Sequence, residues 1–135
     1  MVRASIETPG KPLRVRPFEP YEATAVVTLN TTATTIYTVP AGAVAVVQVE
    51  FTNTDTVANT YDFHIVAAGG SAAIGNRMVT GRSLSANTLP DRLGPYYLAA
   101  GVTLQALVAT GGGSNGDVNA VAAVQEFGTG DGVAY

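Results

Sequence analysis

A chain of 135 residues with 13% charged side chains, a net charge of −3 and no cysteine has room for one packed domain and excludes a disulfide framework or a thiolate metal site. Its acidity argues against nucleic acid as a partner, which would call for a basic stripe, and no apolar run approaches the roughly 20 residues that span a bilayer. The charged share is about half that of an ordinary soluble domain, so part of the surface is expected to be covered by something else.

Residues 1–22 differ from the rest. Pro9, Pro12, Pro17 and Pro20 recur through them, each fixing φ and biasing its predecessor away from helix. Arg3, Lys11, Arg14 and Arg16 against Glu7, Glu19 and Glu22 give this stretch a charge of +1, against −4 for the remainder. Leu13, Val15, Phe18 and Tyr21 are too few and too interrupted for a core. The stretch reads as an extended arm with apolar teeth that lies on a neighbouring subunit, because a purely disordered tail seldom carries Phe and Tyr between prolines. Its contact residues are expected to be Arg3, Leu13, Arg14, Val15, Arg16, Phe18 and Tyr21. The N-terminus lacks the basic and apolar regions of a signal peptide, so synthesis in a cytoplasm is expected.

From residue 23 the pattern is β throughout. Residues 25–29 form a first strand, ended by a turn at Asn30-Thr31-Thr32; residues 35–39 form a second, followed by the turn Pro40-Ala41-Gly42. In residues 43–53, Val47, Val49 and Phe51 alternate with Gln48, Glu50 and Thr52, the mark of a half-buried strand. Asn53-Thr54-Asp55 opens a polar turn. A fourth strand sets Tyr61, Phe63, Ile65 and Ala67 against Asp62 and His64, and Gly69-Gly70-Ser71 ends it. Residues 71–82 fit either a helical turn or a loop; residues 83–89 suggest a short strand and 90–95 a loop. Tyr96-Tyr97-Leu98 begins another strand, turned at Ala100-Gly101, and Val102, Leu104, Ala106 and Val108 alternate after it. A glycine-rich turn at 111–117 precedes the last strand, 118–127. About eight short strands split by Gly, Pro and Asn turns are the signature of an all-β sandwich or barrel; the expected fold is a single jelly-roll-like antiparallel β-sandwich over 23–127, with the arm at 1–22 and a tail at 128–135.

The ordered set Thr35-Ile36-Tyr37-Thr38-Val39-Pro40-Ala41-Gly42, Phe51-Thr52-Asn53-Thr54-Asp55, Phe63-His64-Ile65-Val66 and Tyr97-Leu98-Ala99-Ala100-Gly101-Val102-Thr103-Leu104 resembles small bacteriophage structural β-sandwich proteins. In that group a Tyr-Thr-Val-Pro-Ala-Gly turn precedes a strand ending in an Asn-Thr turn, and a late Ala-Gly hairpin follows. The resemblance covers roughly residues 24–127. It implies a virion location on the outer capsid surface, a role as a capsid decoration (cement) protein, the major capsid protein as partner, and a homotrimer on a local threefold axis. Head-fibre, neck or tail accessory proteins belong to the same group. A carbohydrate-binding host-recognition module is the alternative from another class, disfavoured because the chain has no Trp.

Chemistry-bearing residues are sparse. His64, the only histidine, sits two residues from Asp62, the spacing of a general base with an orienting carboxylate on one strand face. No nucleophile falls beside the pair, and it reads as a solvated strand face, so no catalytic residue is expected. Asn53, Asp55, Asp62 and Asp117 form no contiguous calcium loop, and the glycine run 111–116 lacks a following Lys-Ser/Thr; no metal and no cofactor are expected. Of Tyr96 and Tyr97, which must face opposite ways in a strand, one belongs to the core. Tyr96 is assigned to a second contact surface with Arg77, Arg82 and Arg92, since Tyr and Arg are enriched at interfaces.

Overall fold

The computed structural model describes residues 7–8, 11–12, 22–86, 89–108 and 118–128. Among them are strands β1 (Glu7–Thr8), β2 (Lys11–Pro12), β3 (Glu22–Ala23), β4 (Val27–Thr28), β5 (Thr34–Thr38), β6 (Ala43–Asn53), β7 (Asn59–Val66), β8 (Arg77–Leu84), β9 (Asp91–Leu98), β10 (Thr103–Val108) and β11 (Val118–Gly128). A single 3-10 turn, Ile74–Asn76, precedes β8. β1 and β2 pair with each other in a separate two-stranded sheet.

All the sandwich strands pair antiparallel. One sheet runs β5-β10-β7-β8; the other runs β3-β11-β6-β9, with β4 also on β11. Counted from β4, the two orders are first-eighth-third-sixth and second-seventh-fourth-fifth, which is the interleaving of a jelly roll. The expected all-β sandwich is therefore the architecture found. The turns at Pro40–Gly42 and Ala100–Gly101 each carry the chain from one sheet to the other, so the second is a crossover and not the expected hairpin. They meet at one end of the sandwich, where Gly101 N–H donates to Val39 O and Val39 N–H to Val102 O, both at 2.9 Å. Gly42 and Gly101 hold φ of +76° and +84°, a conformation that costs glycine little.

The core follows from strand alternation. Ala45, Val47, Val49 and Phe51 of β6 and Val118, Ala120, Ala122 and Val124 of β11 turn inward against Leu104, Ala106 and Val108 of β10. Phe51 stacks on Tyr61 at 4.1 Å between centroids and meets Phe63 edge-on at 5.8 Å, arrangements that add to area burial.

Three local expectations differ from the structure. Residues 77–84 form one strand, so the irregular stretch ends at residue 76 and the expected strand at 83–89 starts earlier. The expected loop 90–95 is the first part of β9. Gly94 and Pro95 discourage a strand assignment, yet β9 is a sheet edge and its register with β6 shifts between Val47 and Val49; an edge with a bulge tolerates both residues. The first strand is shorter and broken, with β3 and β4 pairing separately with β11. Glu22 thus belongs to the sheet and Gly128 to β11, one residue inside the segments assigned to arm and tail.

Candidate interaction surface

The polar residues singled out in the sequence are built into the architecture. Asp62 and His64 are not on a solvated face: His64 is 2% exposed and Asp62 9%. After β7 the chain folds back through residues 67–76 over this side of the strand. Asn76 fixes the arrangement, its Oδ1 accepting from Ala73 N–H at 2.9 Å while its Nδ2 donates to Ser71 O at 2.8 Å. Its Oδ1 lies 2.9 Å from His64 Nδ1. With Asn76 so oriented, the proton between them belongs to His64 Nδ1. Asp62 accepts from Gly81 N–H at 2.6 Å and lies 3.9 Å from the Arg77 guanidinium. The pair anchors the covering segment and the bulged edge strand β8; a polar residue on a strand face is no sign of exposure when a later segment returns over it.

Asn53, Asp55 and Asn59, all buried, tie the β6–β7 turn together. Asn53 Nδ2 donates to Val57 O at 2.8 Å and to Leu84 O at 2.9 Å, and Asn53 Oδ1 accepts from Asp55 N–H at 2.9 Å and from Asn59 Nδ2 at 3.1 Å. Asn59 Nδ2 also reaches Asp55 Oδ2 at 3.2 Å. Asp62 lies apart from this knot, and Asp117 lies outside the described residues.

The three arginines of the expected second surface do not converge. Arg77 and Arg82 sit on β8 of the four-stranded sheet, Arg92 on β9 of the other. Each faces a different carboxylate: Arg77 faces Asp62, Arg82 pairs with Asp91 at 2.6 Å, and Arg92 pairs with Glu50 at 2.5 Å. Tyr96, the fourth of that set, is half-buried. It pairs with Val47 and packs on Phe63 at 5.7 Å, and burial pushes its hydroxyl pKa up. The phase of β9 decides this, because Leu98 turns into the core opposite Ala45 and Tyr96 follows it. Tyr97 takes the other side and is 80% exposed. The arm residues Arg3, Leu13, Arg14, Val15, Arg16, Phe18 and Tyr21 lie outside the described residues.

What the structure gathers is an apolar patch on the outer face of the five-stranded sheet. Val44 of β6 stands directly opposite Phe127 of β11, and Val46 stands opposite both Gln125 of β11 and Tyr97 of β9. Val44, Tyr97 and Phe127 are exposed and Val46 is half-buried. Farther along, Ala123 and Val121 continue the face beside Gln48 and Glu50, and the Glu50–Arg92 pair neutralises itself. A signal for this patch was present in the sequence: the alternation that sends Val47 inward sends Val44 and Val46 outward. Elsewhere the exposed apolar side chains Ile74, Met78 and Leu89 sit on the covering segment, the edge strand and the loop before β9, and not on this face.

At the far side of β11 the two sheets part into a cleft of about 500 Å³, lined in part by Glu22, Thr24, Tyr37, Ala43, Val124 and Glu126. Tyr37 donates its hydroxyl to Glu126 Oε2 at 2.5 Å, and burial followed by this bond raises the phenol pKa. Among the described residues no group of three His, Cys, Asp or Glu side chains is placed to hold a metal ion. No family model, curated protein or solved structure matches the chain.

Proposed function

We propose that the chain is a bacteriophage capsid decoration protein that binds the outside of the assembled shell and stabilises contacts between major capsid subunits. The observation that carries the reading is the outer face of β11, β6 and β9. Its exposed Val44, Tyr97 and Phe127 cluster across three strands, and its ion pair is satisfied within the face. Fully covering an exposed apolar side chain contributes about 1.5–3 kcal/mol; Tyr97, 80% exposed, has most of that to gain and Val44 and Phe127, at 39% and 37%, a smaller part, so such a face gains from lying on another protein surface. The low charged share of 13% fits a body that spends its life partly covered. The resemblance of residues 24–127 to small phage structural sandwiches supports the choice of a shell as that surface.

A shell offers each small domain a shallow footprint, whereas a specific interface buries about 1,200–2,000 Å². Several linked copies, each adding a sheet face, would raise avidity by about 10²–10⁴ over one site; a homotrimer is the proposed assembly. The direct test is co-sedimentation of the purified chain with expanded, undecorated phage shells. Tyr97→Ser with Phe127→Ser should weaken binding at least about tenfold, a loss of ~1.4 kcal/mol, with thermal stability unchanged. Equal binding by the double variant would remove this face from the mechanism.

A further inference from the structure

The leader and the cleft beside β11 are complementary in charge and pattern. Leu13-Arg14-Val15-Arg16 alternates apolar and cationic residues with the period of an extended strand. The cleft offers two carboxylates, Glu22 and Glu126, above the apolar floor of Ala43 and Val124. Glu126 continues the inward row of Val118, Ala120, Ala122 and Val124 but emerges where the sheets part. Its acidity therefore faces the cleft and meets Tyr37 of the opposite sheet. The cleft also borders β5, an edge strand of the four-stranded sheet. The edges at β8 and β9 are blunted by register shifts, with Gly81 in one and Gly94 and Pro95 in the other. β5 reads Thr-Thr-Ile-Tyr-Thr; its register with β10 also shifts, between Tyr37 and Thr35, but it carries no charge, Pro or Gly to discourage an added chain.

We infer that this cleft is the seat for residues 13–16 of the leader from a second copy, with an arginine held between Glu22 and Glu126 and Leu13 and Val15 turned to the apolar floor. The leader joins the body at Glu22, on the rim of its own cleft. Six residues of proline-rich extended chain span at most roughly 19 Å, which sets the reach of Arg16 from Glu22. That reach favours a neighbour's cleft over a reversal into the chain's own. Exchange of leaders would link copies without using the outer face of the five-stranded sheet, which stays free. The inference concerns self-association alone and holds or fails apart from any shell.

The test is sedimentation equilibrium of the full chain without shells. The wild-type chain should self-associate, and raising salt from about 0.05 to about 0.5 M should weaken association, because a surface pairing of charges is screened. Arg14→Glu with Arg16→Glu, and separately Glu22→Lys with Glu126→Lys, should each weaken it at least about tenfold with circular dichroism unchanged. An equimolar mixture of the two should regain association, since each reversed leader then meets a reversed cleft. A monomeric wild-type chain, reversed-leader variants that associate as tightly as wild type, or a mixture of folded variants that stays monomeric would overturn the inference; the last would put the leader in its own cleft. Should the reversed-cleft variant fail to fold, the reversed leader and the salt series decide alone.

Discussion

Tyr61 of β7 donates its hydroxyl to Asp91 Oδ2 of β9 at 2.6 Å, joining the two sheets at the flank where their edge strands run. Arg82 completes the link, with its guanidinium 2.6 Å from the same carboxylate oxygen. The aromatic ring is wholly buried, and the strong acceptor fixes its one polar atom. Tyr61→Phe keeps the ring stack on Phe51 and deletes the bond. It should lower unfolding free energy by about 1.5–3 kcal/mol, the range for a hydrogen bond to a charged group, measured as a lower denaturant midpoint at constant slope. An unchanged midpoint would mean the link contributes nothing.

Alkaline pH should reveal the same contacts. The pKa of Tyr61 is raised by burial first, then by its bond to Asp91 and that residue's charge; Tyr37 is raised by burial and Glu126, and Tyr96 by burial. A phenol held neutral in the folded chain stabilises it fully below the ordinary value of about 10. That stability is lost as pH climbs above it, because the unfolded chain then ionises first. The melting temperature should therefore fall increasingly above pH ~10. Absorbance titration should show part of the tyrosine signal appearing only above the ordinary range, and all tyrosines titrating together near pH ~10 would contradict this.

The β6–β7 knot makes a sharper stability prediction. Asn53→Ala removes one side chain that serves Val57 O, Leu84 O, Asp55 N–H and Asn59 Nδ2. Each buried group left unsatisfied costs about 1–3 kcal/mol, so a loss of about 2–4 kcal/mol is expected after relaxation, larger than for Thr54→Ala on the exposed side of the turn. Equal midpoints for the two variants would refute the assignment of Asn53 as the centre of the knot.

Gly94 is a close-approach position. It holds φ of +105°, and a Cβ there would lie 2.8 Å from Val47 O. Gly94→Ala must strain its own backbone and push β9 from β6, so it should cost about 2 kcal/mol or more. Gly75→Ala, where a Cβ meets nothing within 4 Å, is the control and should leave the midpoint within about 0.5 kcal/mol.

How much of this was legible beforehand varies with the kind of signal. β6 and β11 were readable because each alternates cleanly and is bounded by turns; their sheet partners were not, since strand order is set by which faces close over one another. β9 was half missed because Gly94 and Pro95 speak locally for a loop while the sheet edge tolerates them. Alternation requires Tyr96 and Tyr97 to diverge, but only the inward turn of Leu98 tells that Tyr96 is the one packed against the core. Asp62 and His64 were misplaced because residues 67–76, mostly alanine and glycine, give no local sign that they return over β7. Glu22 and Glu126 lie 104 positions apart in the chain, and no pattern along the sequence announces that they share a cleft.

The proposed decoration role is decided by quantitative mass spectrometry of purified virions. A decoration protein is expected in the particles at a copy number approaching that of the major shell subunit. Absence of this polypeptide from purified particles would refute the role, and a count of tens or fewer would assign it to a fibre, neck or tail.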